Sequence, residues 1–109
     1  MASSSYLGEF EYLVLVGIAR LRDRAHAPEL LRLLEEEGER STSRSALYTT
    51  LERLEEKGLV RWKIATGDAA RDHLPRRVYS VTATGLGSLR QSHRAMTRMA
   101  RGIERLLVK

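Results

Sequence analysis

Ser43, Arg44, Ser45, Tyr48, Thr49 and Arg53 place hydroxyl and guanidinium donors within one short stretch of the chain. Such groups donate to oxygen acceptors. On a nucleic acid the hydroxyls suit phosphate oxygens and base edges, and an arginine such as Arg44 can fork onto guanine O6 and N7. Leu47, Leu51 and Leu54 recur at i, i+4 and i+7, so a helix that turns these leucines inward turns Arg44, Ser45, Tyr48, Thr49, Glu52 and Arg53 outward. The N-terminus of that helix, where free N–H groups collect, favours a phosphate beside it. Taken alone, the pattern also fits an exposed polar helix capped by its own serines.

A second group of donors follows. Lys63, Arg71, Arg76 and Arg77, with His73, surround a stretch that Asp68 and Asp72 only partly neutralise. Such a basic segment can straddle a phosphate ridge or enter a minor groove. The charge of the whole chain supports the same chemistry. Residues 1–39 carry a net −4, residues 40–84 a net +4 and residues 85–109 a net +5, giving +5 in all. That asymmetry suits a polyanionic partner.

Other chemistries find no constellation. No cysteine is present, which removes disulfides, thiolate metal sites and cysteine nucleophiles. His26, His73 and His93 fall on separate elements without ligand spacing, so no metal or other cofactor is expected. No Ser-His-acid set, glycine-rich phosphate loop or carboxylate pair can be placed at a common site, and Glu35–Glu37 read as solvated charge at a helix end. The chain is therefore not expected to be an enzyme. It has no long apolar run, signal segment or lipidation motif, which predicts a cytoplasmic protein with no membrane partner.

The elements that must position these residues can be read from hydrophobic period. Residues 1–6 are expected to form a disordered tail. Leu7, Phe10, Leu13, Val14, Gly17, Ile18 and Leu21 mark one face of a first helix ending near Asp23. Pro28 opens a second, whose face Ala27, Leu30, Leu31 and Leu34 runs to Gly38. Ser41–Ser43 cap the third, which stops at Lys57-Gly58. Val60, Trp62 and Ile64 then alternate with polar residues, the mark of a strand, and Arg77–Val81 form a second strand. Trp62 is expected to pack against the third helix. Thr82 caps a last helix beginning at Ala83 and running to the C-terminus. Three helices, a hairpin and a helix, mainly α with a small β-hairpin, give the order of a winged helix-turn-helix over residues 7–82, with residues 83–109 as a C-terminal dimerisation helix. The third helix would enter the major groove and the hairpin would be the wing. The same order also serves protein-docking modules that bind no specific DNA.

The residues that carry a family likeness are Leu7-Gly8-Glu9-Phe10-Glu11-Tyr12-Leu13-Val14-Leu15, Ala46-Leu47-Tyr48-Thr49-Thr50-Leu51-Glu52-Arg53-Leu54-Glu55-Glu56-Lys57-Gly58-Leu59-Val60, and Arg77-Val78-Tyr79-Ser80-Val81-Thr82 with Gly85. In this order, over nearly the whole chain, they closely resemble the PadR regulators. The resemblance implies a homodimeric repressor of double-stranded operator DNA, with Tyr48 at the DNA backbone and Ser43 as the polar residue opening the third helix. The chain departs from the family pattern at His26-Ala27-Pro28, where Tyr-Gly is common, and at Ser45-Ala46, where Gly-Thr is common.

The last helix carries Leu86, His93, Ala100 and Leu107 every seven residues, interleaved with Leu89, Met96 and Ile103. This heptad seam has little to bury against in a domain of this size, so a second subunit is its expected partner. Arg90, Arg94 and Arg98 form a basic stripe on another face, which acidic side chains of the N-terminal third, or DNA, could meet. Some short PadR-like chains bind flat aromatic or drug-like ligands between their subunits, so the resemblance implies that a small-molecule effector at the dimer interface is possible here. His93, Met96 and Met99 would give that site a soft, partly polar middle.

Overall fold

The computed structural model describes residues 7–65 and 76–108. The first helix, α1, spans Glu9–Leu21 and buries Val14, Leu15 and Ile18 at helical spacing. Its start is fixed by Glu11, whose Oε1 accepts from Gly8 N–H at 3.1 Å and from Lys57 Nζ at 3.1 Å, with Oε2 2.9 Å from the same ammonium. Burial penalises this carboxylate. The Lys57 ammonium and the Gly8 N–H outweigh that penalty and hold the Glu11 carboxyl below the usual range. The helix leaves through Arg22, at φ 55°, into a 3-10 turn over Arg22–Arg24.

Helix α2 spans Ala27–Glu36, with Pro28 in its first turn, where the missing N–H costs nothing, and buries Leu30 and Leu34. Helix α3 spans Arg44–Glu56 and buries Leu47, Leu51 and Leu54 against the first two. Gly58 ends it at φ 77°, donating to Glu55 O at 2.9 Å while Leu59 donates to Leu54 O at 2.9 Å. The three leucines, the serine cap and the glycine stop are where the sequence places them.

Strands β1 (Val60–Ala65) and β2 (Arg76–Val81) pair antiparallel, with Val60 opposite Val81, Trp62 opposite Tyr79 and Ile64 opposite Arg77. The connector at 66–75, with Arg71 and His73, lies outside the described residues. Tyr79 N–H also donates to Ala25 O at 3.0 Å, which pins β2 to the segment between α1 and α2. The hairpin is therefore held from both sides. Helix α4 spans Ala83–Ala100 and is capped by Thr82, whose Oγ1 accepts from Gly85 N–H at 3.0 Å and donates to Gly58 O at 2.7 Å. Gly85 is buried beneath Leu59 O. A Cβ at this position would lie 2.2 Å from that oxygen.

The expectation of one helix to the C-terminus is corrected here. Helix α4 stops at Ala100; Arg101 is extended, Gly102 takes φ 94°, and a single turn, α5, follows over Glu104–Leu107. Glu104 Oε1 accepts from Gly102 N–H at 2.9 Å and stabilises the break. The seam consequently runs unbroken only from Leu86 to Ala100, and Ile103 and Leu107 stand beyond the turn. No helix among the described residues is long and apolar enough to cross a membrane.

Candidate nucleic-acid interface

The N-terminal half of α3 forms one wall of the candidate site. Ser43 is the N-cap, and its Oγ accepts from Ala46 N–H at 3.0 Å. Among the described residues nothing accepts from its own O–H, which can donate outward. Arg44, Ser45, Tyr48, Thr49, Glu52 and Arg53 are all exposed, as the leucine spacing requires. The first turn holds no acidic residue, so the positive end of the helix dipole and Arg44 act together. Two of these residues are differently placed from Arg44. Thr49 donates its hydroxyl to Ser45 O at 3.1 Å, which leaves only its lone pairs outward. Arg53 sits in the last turn, about 14 Å along the axis from Arg44, where it contributes to the field at Glu11.

The wing divides the remaining basic residues between two faces. Cross-strand partners share a face, so Trp62, Ile64, Arg77 and Tyr79 lie on one side of the hairpin, and Arg61, Lys63, Arg76 and Val78 on the other. The first side is turned to α3. Trp62 Nε1 donates to Glu55 Oε1 at 3.2 Å, so the tryptophan packs against the third helix as expected. Arg77 places its guanidinium carbon 4.0 Å from the Trp62 ring centroid, with the Tyr79 hydroxyl within reach of its charge. Burial pushes that hydroxyl above the ordinary phenol range, with Arg77 pulling the other way. Arg77 is thus exposed on the α3 side, with Tyr48 and Glu55 within its electrostatic reach.

Lys63 and Arg76 belong to the opposite face. There a cleft of about 540 Å³ lies between the hairpin and the 3-10 turn, with Arg22, Asp23, Arg61, Lys63, Val78 and Ser80 in its walls. The sequence reading brings Lys63, Arg76 and Arg77 to one surface; the structure separates Arg77 from the other two. It also adds Arg61 and Arg22. Arg61 could have been found from its two-residue offset to Lys63, whereas Arg22 arrives only through its left-handed backbone. Arg71 lies outside the described residues. No group of His, Asp and Glu is gathered for a metal among the described residues.

The sequence profile of the PadR-like family of transcriptional regulators matches residues 15–91, which include α2, α3, both strands and the first half of α4. The chain belongs to this family. Its fold is that of the solved PadR winged-helix regulators. A PadR family regulator from Eggerthella lenta is 28% identical, with a TM-score of 0.66 over 91% of this chain and 86% of that one. A PadR-like regulator from Bacillus cereus is 20% identical, with a TM-score of 0.73 over 92% of each chain. PadR from Bacillus subtilis, solved in complex with operator DNA, is 19% identical, with a TM-score of 0.59 over 75% of this chain and 46% of that one. No curated protein matches the sequence. Membership of a family of transcription regulators agrees with the expectation that the chain is not an enzyme.

Proposed function

We propose that this PadR-like regulator is a sequence-specific repressor that binds an inverted-repeat operator as a homodimer in the cytoplasm. The observation that carries the reading is the acid-free, outward N-terminal half of α3, with Arg44, Ser45 and Tyr48 exposed and Arg77 of the wing turned to the same helix. In this arrangement Arg44 reads a base edge. Ser43, Ser45 and Tyr48 hold the backbone, with Thr49 and Arg53 further along the same face. Arg77, and Lys63, Arg71 and Arg76 from the wing, supply phosphate contacts. The operator complex solved for the Bacillus subtilis relative supports duplex DNA as the partner. Two copies place their α3 helices in successive major grooves, so the half-sites lie about 10 base pairs apart or a multiple of that.

Dimerisation uses the α4 edge. Leu86 and Met96 are 41% and 51% exposed and continue through His93 to Ala100, while Leu89 already packs on the chain's own core. Ile103 and Leu107, exposed past the turn, extend the contact. A flat aromatic effector seated beside His93, Met96 and Met99 between the subunits would release the DNA.

The reading is tested by titrating the protein with duplexes from its own upstream intergenic DNA and with scrambled controls at several salt concentrations. A steep loss of affinity with salt is expected, at roughly 0.9 log units per log salt for each phosphate neutralised. Arg44→Ala should cost about 1–3 kcal/mol on the operator and much less on the scrambled duplex. Binding that ignores sequence and salt would replace the regulator by a protein-docking winged helix.

A further inference from the structure

Arg90, Arg94 and Arg98 stand at i, i+4 and i+8 on α4, and Arg101 follows at the turn, so one face of the helix carries four guanidinium groups in line. With His93 and Thr97 they border a shallow groove of about 390 Å³. All four are exposed, and none enters an ion pair among the described residues. Glu104, the acid nearest in sequence, is engaged by Gly102 N–H. The buried residues of α4, Gly85 and Ser88, lie on roughly the opposite side of the helix, so the described residues of the same chain leave the stripe uncovered. Like charges four residues apart weaken the helix that bears them.

The opposite imbalance occurs at the C-terminal end of α2. Glu35, Glu36 and Glu39 are exposed there without an ion pair among the described residues, and Glu37 is held only by exposed Arg20 at 3.0 Å. The helix dipole already makes that end negative, so a carboxylate run is locally unfavourable. The same corner rims an apolar groove of about 160 Å³ between α1 and α2, floored by Leu13, Val16, Gly17 and Leu33. Each surface is costly to its own helix, and each carries the charge the other lacks.

We propose that the arginine stripe of one copy lies across the acidic corner of a second copy, with Leu86, one turn before Arg90 and beside the stripe, meeting the apolar groove. Two-fold symmetry returns the same contact from the second copy to the first. Helices α1 and α4 pack together within one chain, and the stripe projects from the far side of α4, where a second copy can reach it. The proposal rests on the homodimer reading and adds what neutralises the stripe. It makes dimerisation itself sensitive to salt, separately from DNA binding.

Sedimentation equilibrium of the full chain without DNA tests it, using the charge reversals Arg94→Glu/Arg98→Glu and Glu35→Arg/Glu36→Arg. Each double variant should dimerise about tenfold more weakly than wild type or worse, because like charges then face each other twice. Mixed together, the two variants should form a heterodimer of near wild-type affinity, since every contact in it is complementary. A misfolded chain could not produce that rescue. A wild-type dimer indifferent to all four reversals, or variants that fail to rescue one another, would overturn the proposal and leave the homodimer reading standing. A monomeric wild-type chain would overturn both. Unchanged dimerisation of Arg94→Glu/Arg98→Glu with reduced affinity for duplex DNA would reassign the stripe to nucleic acid and overturn the proposal as well.

Discussion

Two glycines of α4, two residues apart, should respond oppositely to the same substitution. Helix propensity favours alanine over glycine at an interior position by about 1 kcal/mol, so Gly87→Ala, which meets nothing within 4 Å, should stabilise the protein by about 0.5–1 kcal/mol. Gly85→Ala faces Leu59 O at 2.2 Å, Leu59 C at 3.1 Å and Val81 Cγ1 at 2.7 Å. An ordinary contact is about 3.5 Å or more, so α4 would have to withdraw by about 1 Å from the start of β1. Backbone cannot rotate aside as a side-chain tip can. The withdrawal also stretches the bonds of Thr82 to Gly58 O and Leu59 O, now 2.7 and 3.0 Å. Overpacking of this kind costs about 1–3 kcal/mol, and the backbone contact places Gly85→Ala at the upper end. For a chain of this size the expected changes are a fall in Tm of roughly 10–15 °C for Gly85→Ala and a rise of about 2–5 °C for Gly87→Ala. Thermal unfolding followed by circular dichroism, with urea midpoints as a check, measures both. Shifts of the same sign would show that propensity, and not the approach of Leu59 O, decides the residue at this turn.

Three further outcomes are expected. Because the Glu11 carboxyl is held below its ordinary 4.5, its pairing with Lys57 and Gly8 stabilises the fold above that pH and is lost as pH falls through the lower folded value. Glu11→Gln should cost about 1–2 kcal/mol at neutral pH, and the gap to wild type should close in acid melts; a gap independent of pH would refute the linkage. Ser43→Ala should cost about 1 kcal/mol through loss of the cap, while Ser43→Asp keeps the cap and weakens duplex binding by adding a negative charge; equal stability of Ser43→Ala and wild type in urea would argue against the cap. Arg77→Ala should red-shift the emission of Trp62, the chain's single tryptophan, as the ring loses its cover, and an unchanged spectrum would show that the stacking does not persist in solution.

The parts of the fold that were legible in the sequence are those governed by local rules. Leu47, Leu51 and Leu54 announced both the helix and which side of it faces water, Ser43 its cap, and Gly58 its end, because period, capping and left-handed backbone are properties of a few adjacent residues. The wing was legible as strands but not as a surface. Which basic residues share a face depends on the pairing of Trp62 with Tyr79, and that register lies in the partner strand rather than in either segment alone. The bond from Tyr79 to Ala25 is likewise a tertiary event without local signature. The end of α4 misled for a different reason. A glycine inside a heptad pattern is tolerated by a helix as readily as it breaks one, and only its φ of 94° and the bond to Glu104 decide for the break at Gly102.

The two sides of α3 answer to different constraints, and this bears on how such a protein can change. Leu47, Leu51 and Leu54 are fixed by the core, whereas Arg44, Ser45 and Tyr48 make no hydrogen bond or ion pair outside their own helix among the described residues. Substitutions at these three positions, glycine and proline apart, can therefore accumulate at little cost to folding, each one altering what is read more than what is built. A lineage of duplicated copies could drift from one operator to another while keeping a single scaffold. For the same reason, a library randomised at Arg44, Ser45 and Tyr48 alone should consist almost entirely of folded members.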